Sequence, residues 1–278
     1  MPTEEASQKI LIPKIMGILN LTEDSFFDGG SFLKTEKAAA HFQQMISEGA
    51  DIIDIGAESS RSGAKIVEES VECKRVEMLL EHILPVRKNI QISIDTSRAN
   101  VAEMALKKGV DIINDIYDLG RDPELIQVLR KYPCRVILMH MQGTPQTMQK
   151  NPLYRDVVGE IMEFFKHKTE EIIKAGIDPS RIILDPGIGF GKTLEHNLEI
   201  MRNITSFKGL GFPLLVGPCR KSFIGQITGA SVENRLFGTA AAVSLLTERG
   251  VDILRVHDVY EMREAMLVAK ALTGGSPS

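Results

Sequence analysis

Three polar side chains, Asp95, Asn114 and Asp185, each follow a run of aliphatic residues that is typical of a buried strand. Buried carboxylates and amides require hydrogen-bond partners. A planar heterocycle with donor and acceptor edges would provide them, because a carboxylate accepts two parallel N–H bonds from an aminopyrimidine edge. The same residues could instead form a structural network inside the protein, and the sequence leaves both interpretations open.

A second group of strand-end residues is cationic and comprises Arg61, Arg220, Lys221, Arg255 and His257. The whole chain carries a formal net charge of −4, so an anionic ligand would need a locally positive pocket of this kind. Together with helix N-termini, these side chains predict a site for phosphate or pyrophosphate. For Arg61 the alternative is a solvated loop arginine. Arg255 and His257 are two residues apart, so both face the same side of a strand.

Asn20 has two acidic residues nearby, Asp24 and Asp28. Oxygen ligands of this kind suit a hard divalent cation, so Mg²⁺ is the predicted metal and Asn20 its candidate ligand. A simple turn is the alternative, because Asp and Asn are common in turns. His140 could act as a base, but its two methionine neighbours favour a packed histidine. The six histidines have no HxxxH spacing, which argues against a zinc site.

Residues 185–193 follow a strand-like run and end in Gly-Lys-Thr, as a nucleotide-binding P-loop does. That motif requires a glycine five positions before Gly191, where this chain has Pro186. The glycines do not form a dinucleotide fingerprint either, so both interpretations are excluded. We expect these glycines to let the backbone approach a flat ligand, and Phe190 to offer that ligand an aromatic face.

One phrase occurs three times and indicates how these residues are positioned. It consists of Gly, a small residue, Asp, two large aliphatic residues and a polar residue, and it occupies 49–54, 109–114 and 250–255. Gly after a helical pattern is a common helix end, and the aliphatic run predicts a buried parallel strand. A repeated helix–Gly–strand–polar unit is typical of an α/β barrel, whose chemistry lies at the carboxyl ends of the strands.

Eight strand-like runs alternate with eight helical stretches. The predicted strands are 14–19, 51–56, 90–95, 110–114, 135–139, 181–184, 213–217 and 252–256. The predicted helices lie near 36–48, 68–83, 97–108, 122–131, 155–175, 195–204, 231–249 and 258–271. Eight such units favour a closed barrel over a doubly wound sheet. We therefore predict an α/β protein with a single (β/α)₈ TIM barrel over residues 1–273, long loops after strands 1, 2 and 5, and a flexible tail at 274–278.

Composition and charge exclude several classes of protein. Hydrophobic residues make up 43% and charged residues 25% of the 278-residue chain, as in ordinary globular domains. The net charge of −4 argues against a nucleic-acid partner. Residues 1–13 resemble neither a signal peptide nor a membrane span, so no membrane association is expected. Three scattered cysteines argue against disulfides, and we expect a cytoplasmic protein.

Several segments taken together resemble the dihydropteroate synthase family of pterin-binding barrels, which belongs to the folate pathway. The segments that carry this resemblance are 17–30, 93–96, 113–116, 139–140, 185–192, 220–223 and 255–257. It extends from residue 17 to about residue 272. The resemblance implies that the chain condenses 7,8-dihydropterin-6-ylmethyl pyrophosphate with p-aminobenzoate, and that pyrophosphate leaves before the aminobenzoate attacks.

The resemblance also implies roles for particular residues. The dihydropterin ring would be held by Asp95, Asn114, Asp185 and Lys221, with Ile116 and Met139 packed against it. Pyrophosphate would be held by Asn20, Arg61, Arg255 and His257, with Asn20 also a ligand of Mg²⁺. The p-aminobenzoate site would be bordered by Ser60, Phe190, Lys221 and Ser222, and loop closure would involve Phe26, Asp28 and Ser62. The implied partners are these small-molecule substrates and a second copy of the chain, in a homodimer formed through outer helices.

The chain departs from the family pattern in its second long loop. Residues 58–63 read Glu-Ser-Ser-Arg-Ser-Gly, whereas the family usually has Glu-Ser-Thr-Arg-Pro-Gly. Ser62 replaces a proline, which should loosen the loop, and Cys219 stands where a serine is usual. We therefore expect an enzyme with altered affinity for p-aminobenzoate and its sulfonamide mimics. Two alternatives stay open: a catalytically impaired pterin-binding paralogue and a pterin-dependent methyltransferase.

Overall fold

The barrel predicted from the sequence is confirmed by the structure, a computed structural model that describes residues 12–21, 31–59, 63 and 66–273. Its strands are β1 Lys14–Asn20, β2 Ile52–Gly56, β3 Gln91–Asp95, β4 Ile112–Asp115, β5 Arg135–Met139, β6 Ile182–Asp185, β7 Leu215–Val216 and β8 Ile253–Val256. They form one parallel sheet in the order β6-β5-β4-β3-β2-β1-β8-β7. The two ends of this sheet meet, because the Leu184 N–H donates to the Pro213 carbonyl at 2.9 Å. The predicted tail at 274–278 lies outside the described residues.

Helices connect the strands, and they are α1 Ser31–Ser47, α2 Glu69–Ile83, α3 Ala99–Lys107, α4 Leu125–Lys131, α5 Val157–Lys174, α6 Leu194–Arg202, α7 Ser222–Thr228, α8 Leu236–Glu248 and α9 Val259–Leu272. The connections before α1, α2 and α5 are long, as predicted. Within the described part of the chain, no helix combines the length and apolar character needed to cross a membrane.

The connection between β7 and β8 differs from the prediction of one helix over 231–249. A separate short helix, α7, begins at Ser222 and is followed by Gly229, which has a left-handed φ of +73°. A short 3-10 turn at Val232–Asn234 then precedes α8, which begins only at Leu236. The short helix has little amphipathic pattern of its own, so the sequence does not separate it from α8.

The repeated phrase has the same structural role in all three places. Its aspartates, Asp51, Asp111 and Asp252, lie at the amino-terminal end of the barrel. The Asp51 carboxylate accepts a 2.8 Å hydrogen bond from the Ile15 N–H at the start of the neighbouring strand. Asp111 and Asp252 accept equivalent 2.8 Å bonds from Ile92 and Leu214. Each aspartate therefore satisfies a backbone donor at the start of an adjacent strand, where the parallel ladder provides no partner.

The interior of the barrel changes from apolar to polar along the strands. Its lower layer consists of Met16, Ile52, Ile112, Ile137, Ile183, Leu215 and Ile253, each at most 2% exposed. Side chains two residues further along a strand face the same side of the sheet. On several strands those positions are polar, so the carboxyl end of the barrel presents charged and amide groups above an apolar floor.

Candidate active site

A hydrogen-bonded network of four polar side chains lies inside the carboxyl end of the barrel. Arg255 on β8 donates through Nε to Asp54 Oδ2 at 2.7 Å and through a terminal nitrogen to Asp95 Oδ2 at 3.2 Å. The amide of Asn114 on β4 donates to the same Asp54 oxygen at 3.0 Å. The strands therefore bring together three predicted site residues, which are separated by up to 160 positions in the sequence.

Asp54 is the central member of this network and was not among the predicted site residues. Its side chain is fully buried, and its Oδ1 atom has no hydrogen-bond partner among the described residues. A signal for it was present in the sequence, because Asp54, Asn114 and Arg255 are the sixth residues of the three repeated phrases. The repeat thus places three polar groups at equivalent strand positions, where the closed sheet lets them bond to one another.

Burial raises the pKa of two carboxyl groups at this end of the barrel, Asp95 and Asp185. Two carboxylates, Asp54 and Asp95, share the single guanidinium of Arg255. Burial, reinforced by Asp54, raises the pKa of Asp95, and Arg255 only partly opposes this effect. Burial also raises the pKa of Asp185 at the end of β6, although its carboxylate accepts a 2.8 Å bond from the Gly187 N–H. A ligand that donates hydrogen bonds would stabilise the charged form of both carboxyl groups.

An apolar cluster borders the polar network and consists of Met139, Met148 and Phe190, with Ile116 and Met141 packed against it. Lys221 lies over this cluster, with its Nζ atom 4.1 Å from the centroid of the Phe190 ring. Burial lowers the pKa of Lys221 to about 8, and Arg255 contributes to this shift. The structure thus brings together side chains predicted to contact a pterin ring and side chains predicted to border p-aminobenzoate.

His257 follows β8 and is held by Cys219. The cysteine Sγ lies 3.3 Å from the backbone nitrogen of His257 and 3.3 Å from its Nδ1. Burial lowers the pKa of His257 to about 4, with a further contribution from Arg255. The imidazole is therefore neutral near pH 7, and no described residue hydrogen-bonds to Nε2.

Arg220 does not join the cationic group, contrary to the prediction. Its guanidinium donates two hydrogen bonds to the Asp258 carboxylate, at 2.9 and 2.8 Å. It also donates to the Glu233 carbonyl at 2.9 Å. The adjacent Lys221 points into the barrel instead, so only one of these two neighbouring cations faces the site.

The glycine-rich segment after β6 also differs from expectation. A Cβ atom on Gly187 would collide with the His140 carbonyl, and one on Gly191 would collide with the Gln142 carbonyl. Both residues have left-handed φ values, +66° and +62°. These two glycines are therefore required for close contact with the loop after β5 rather than for contact with a flat ligand.

The remaining predicted residues lie at the rim or outside the described residues. Asn20 ends β1 beside Gly56, and a Cβ on that glycine would lie 3.4 Å from Asn20 Oδ1. Ser222 begins α7 and is exposed. Outside the described residues lie Phe26, Asp28, Ser60, Arg61 and Ser62. Within the described ranges, no group of three His, Cys, Asp or Glu side chains could hold a metal ion.

The start of the second long loop is fixed by an ion-pair network that sequence reasoning did not identify. The Glu58 carboxylate accepts from Arg121 at 2.7 Å and from the Val67 N–H at 3.2 Å. Arg98 lies 3.7 Å from Glu58 and 2.9 Å from Glu72, which is 1% exposed. Both flanks of the loop are therefore tied to the barrel rim.

Comparison with known proteins connects this site to a family. The sequence model of the family described as "Pterin binding enzyme" matches residues 16–257. A dihydropteroate synthase of Neisseria meningitidis serogroup B is 47% identical over 266 residues. That match covers 94% of this chain and 93% of the relative.

Solved structures give the same result. Dihydropteroate synthase of Yersinia pestis, in a complex with a sulfonamide drug, superposes with a TM-score of 0.89 at 40% identity over 96% of both chains. The Xanthomonas albilineans enzyme with 4-aminobenzoic acid gives a TM-score of 0.88 at 37% identity, over 95% of this chain and 94% of that one. The chain therefore belongs to the pterin-binding enzyme family and, within it, to the dihydropteroate synthases, transferases of folate biosynthesis that are sulfonamide targets.

Proposed function

We propose that this chain condenses 7,8-dihydropterin-6-ylmethyl pyrophosphate with p-aminobenzoate to give 7,8-dihydropteroate and pyrophosphate. The observation that carries the proposal is the buried network of Asp54, Asp95, Asn114 and Arg255 beside Asp185 and Lys221. It concentrates donors and acceptors for a planar ring at the mouth of a barrel whose family binds pterins. The Xanthomonas relative with 4-aminobenzoic acid supports the second substrate.

In this proposal the pterin ring enters the polar network. Asp185 accepts hydrogen bonds from the amino-pyrimidine edge of the ring, which favours the charged carboxylate that burial alone disfavours. Asp95, Asn114 and Lys221 bind other polar atoms of the ring, and Ile116 and Met139 pack against its faces. Support comes from the register of the sheet, in which Asp95 pairs with Asn114 and Met139 pairs with Asp185 at the carboxyl ends of their strands.

Arg255, His257, Asn20 and Arg61 would hold the pyrophosphate in this proposal. Asn20 Oδ1 and Asp95 Oδ2 face the gap that Gly56 leaves, at 3.4 and 3.8 Å from the position of a Cβ there. Amide and carboxylate oxygens are ligands that suit Mg²⁺, so the residues present fit this ion, with Asn20 as its ligand. Bound Mg²⁺ would neutralise negative charge on the pyrophosphate.

The chemistry needs no side-chain nucleophile. The bond from the pterin methylene carbon to the pyrophosphate oxygen breaks, and its electron pair leaves with pyrophosphate. The carboxylate of Asp185 offsets the positive charge that spreads into the ring. The aniline nitrogen of p-aminobenzoate then attacks the methylene carbon and loses a proton. Closing loops exclude water, which would otherwise capture the cation.

The p-aminobenzoate would be bordered by the ring of Phe190 and by the side chains of Ser60, Lys221 and Ser222. Phe26, Asp28 and Ser62 belong to the two loops that would complete this site.

We propose that Ser62, in place of the usual proline, loosens the second loop and alters sulfonamide affinity. Ser62→Pro should then change the inhibition constant of a sulfonamide, and an unchanged constant rejects the idea.

A direct assay tests the proposed reaction. The chain is mixed with dihydropterin-methyl pyrophosphate, p-aminobenzoate and Mg²⁺, and both pyrophosphate release and dihydropteroate formation are followed. Asp185→Asn should lose most of the activity, because the ring edge then faces a neutral amide. Normal turnover by Asp185→Asn would show that the ring does not bind there. The impaired paralogue and the methyltransferase are not favoured, because the relatives are synthases.

We further propose a homodimer formed through α8 and α9. Phe237 and Leu245 on α8 are 85% and 57% exposed, and Val268 and Leu272 on α9 are 58% and 82% exposed. Large apolar side chains at this exposure favour burial against a second copy.

We also propose that residues 1–273 form a single domain. We propose a cytoplasmic location as well, which the three free cysteines support.

A further inference from the structure

Lys192 is a buried lysine for which the proposed reaction has no use. It belongs to the Gly-Lys-Thr sequence that resembles a P-loop, yet it is only 3% exposed. Its Nζ atom lies 2.8 Å from the Phe190 carbonyl, 3.2 Å from the His140 carbonyl and 3.1 Å from His140 Nδ1. All three contacts are hydrogen-bond acceptors within the protein, so the lysine faces inward rather than toward a phosphate.

The contacts of Lys192 join two separate loops. His140 directly follows β5, and Phe190 lies in the loop after β6. Burial, with a further contribution from Lys192, lowers the pKa of His140 to about 3, so its imidazole is neutral and Nδ1 can accept a hydrogen bond. Burial lowers the pKa of Lys192 to about 7, and in its ammonium form Nζ has three N–H donors for the three acceptors. Without Lys192, two carbonyls in a buried region would lose this donor.

The two loops are in direct backbone contact around Lys192. A side chain on Gly187 or Gly191 would collide with the loop after β5, which shows how closely the backbones of the two loops approach each other. Gln149 and Tyr154 of the loop after β5 add hydrogen bonds to the Gly189 and Gly191 carbonyls, at 2.8 and 3.1 Å. These bonds lie nearer the surface, and Lys192 is the buried member of the set.

The segment that Lys192 holds carries the aromatic ring of the site. The Phe190 carbonyl accepts a hydrogen bond from Lys192, while the Phe190 ring packs with Met139 and Met148 and lies under Lys221. We propose that Lys192 is a positioning residue that sets Phe190 beside the p-aminobenzoate subsite by holding the loop after β6 against the loop after β5. This inference rests on the proposed function, which places p-aminobenzoate against Phe190.

Steady-state kinetics of Lys192→Met provide the first test, because methionine keeps most of the length and removes all the donors. The KM for p-aminobenzoate should rise about tenfold, while kcat and the KM for dihydropterin pyrophosphate should change by less than about twofold. Lys131→Met is a matched control. Lys131 lies on α4, is 61% exposed and should leave all three constants unchanged.

Phe190→Ala separates failure of the inference from failure of the proposed function. A normal KM for p-aminobenzoate in Phe190→Ala shows that the ring does not border this substrate, and the proposed subsite is then wrong. If Phe190→Ala raises this KM and Lys192→Met does not, only the inference about Lys192 is overturned. If both raise it, the double variant should be no worse than Phe190→Ala alone. If the rise in KM for p-aminobenzoate in the double variant is instead the product of the two single rises, Lys192 does not act through Phe190.

Lys192→Gln covers the case in which the methionine variant does not fold. Glutamine is shorter but keeps N–H donors, so it should fold and give a KM for p-aminobenzoate between those of the unmodified protein and Lys192→Met. Thermal unfolding identifies the variants that are folded. A normal KM for p-aminobenzoate in a folded variant of either kind overturns the inference.

Discussion

Asp95 is buried beside Asp54, and this burial, reinforced by the second carboxylate, makes stability depend on pH. The folded-state pKa of Asp95 is raised above its unfolded value of about 4, so the folded protein binds the proton more tightly. The contribution of Asp95 to stability is therefore fully present below the unfolded-state pKa of about 4, and it is lost as the pH rises through the folded-state pKa.

Asp95→Asn should remove this dependence. Between about pH 5 and pH 8, the free energy of unfolding of the unmodified protein should fall relative to that of Asp95→Asn, by on the order of 1–3 kcal/mol. Urea unfolding at a series of pH values measures the difference. Parallel curves for the two proteins would show that Asp95 is ionised across the whole range.

Cys219 acts on the site through His257. Its thiol is buried, and burial raises its pKa, so near pH 7 it is a neutral group in contact with Nδ1. Cys219→Ala should leave the imidazole free to rotate and raise the KM for dihydropterin pyrophosphate about fivefold. Cys219→Ser keeps a polar group at this position and should remain within about twofold of the unmodified protein.

Kinetic constants for these two variants and for Cys73→Ala provide the measurement. Cys73 lies on α2 and is half-buried, so its replacement should have no effect on the KM. Equal KM values for Cys219→Ala and Cys219→Ser would contradict a hydrogen-bonding role for the thiol.

Among the elements, the strand starts depend on the aspartates of the repeated phrase. Asp51→Ala would leave the buried Ile15 N–H without its acceptor, which should cost about 1–3 kcal/mol of unfolding free energy. Asp51→Asn keeps an acceptor and should cost less. Because this end of the barrel is opposite the site, kcat and both KM values should not change. A kinetic defect in folded Asp51→Ala would contradict this separation of stability from catalysis.

The whole molecule has an apolar face on α8 and α9, and this face predicts the assembly state. Phe237→Glu and Leu245→Glu place charges where a second copy would bind, so each should convert the proposed dimer to a monomer. Light scattering coupled to gel filtration measures the mass. Leu153→Glu is the matched control, because Leu153 is 69% exposed in the loop after β5. A monomeric unmodified protein would contradict the proposed dimer.

Much of the architecture could be predicted because its determinants are local. The helix-ending glycines and the aliphatic runs define each unit within a few residues, and Gly49, Gly109 and Gly250 all have the expected left-handed φ. The polar residue that ends each phrase could likewise be predicted to face the barrel mouth. The extra helix α7 could not, because its seven residues are stabilised by packing that only the folded barrel provides.

The sequence by itself determined which polar residues follow the strands and which of them face the same side of the sheet, because a strand alternates its side chains with a period of two. Only the tertiary structure decided what those residues bind. Arg220 pairs with Asp258, 38 positions away, and Arg255 pairs with Asp54, 201 positions away. The closure of the barrel determines these partners, because contact between distant strands depends on the register and curvature of the whole sheet.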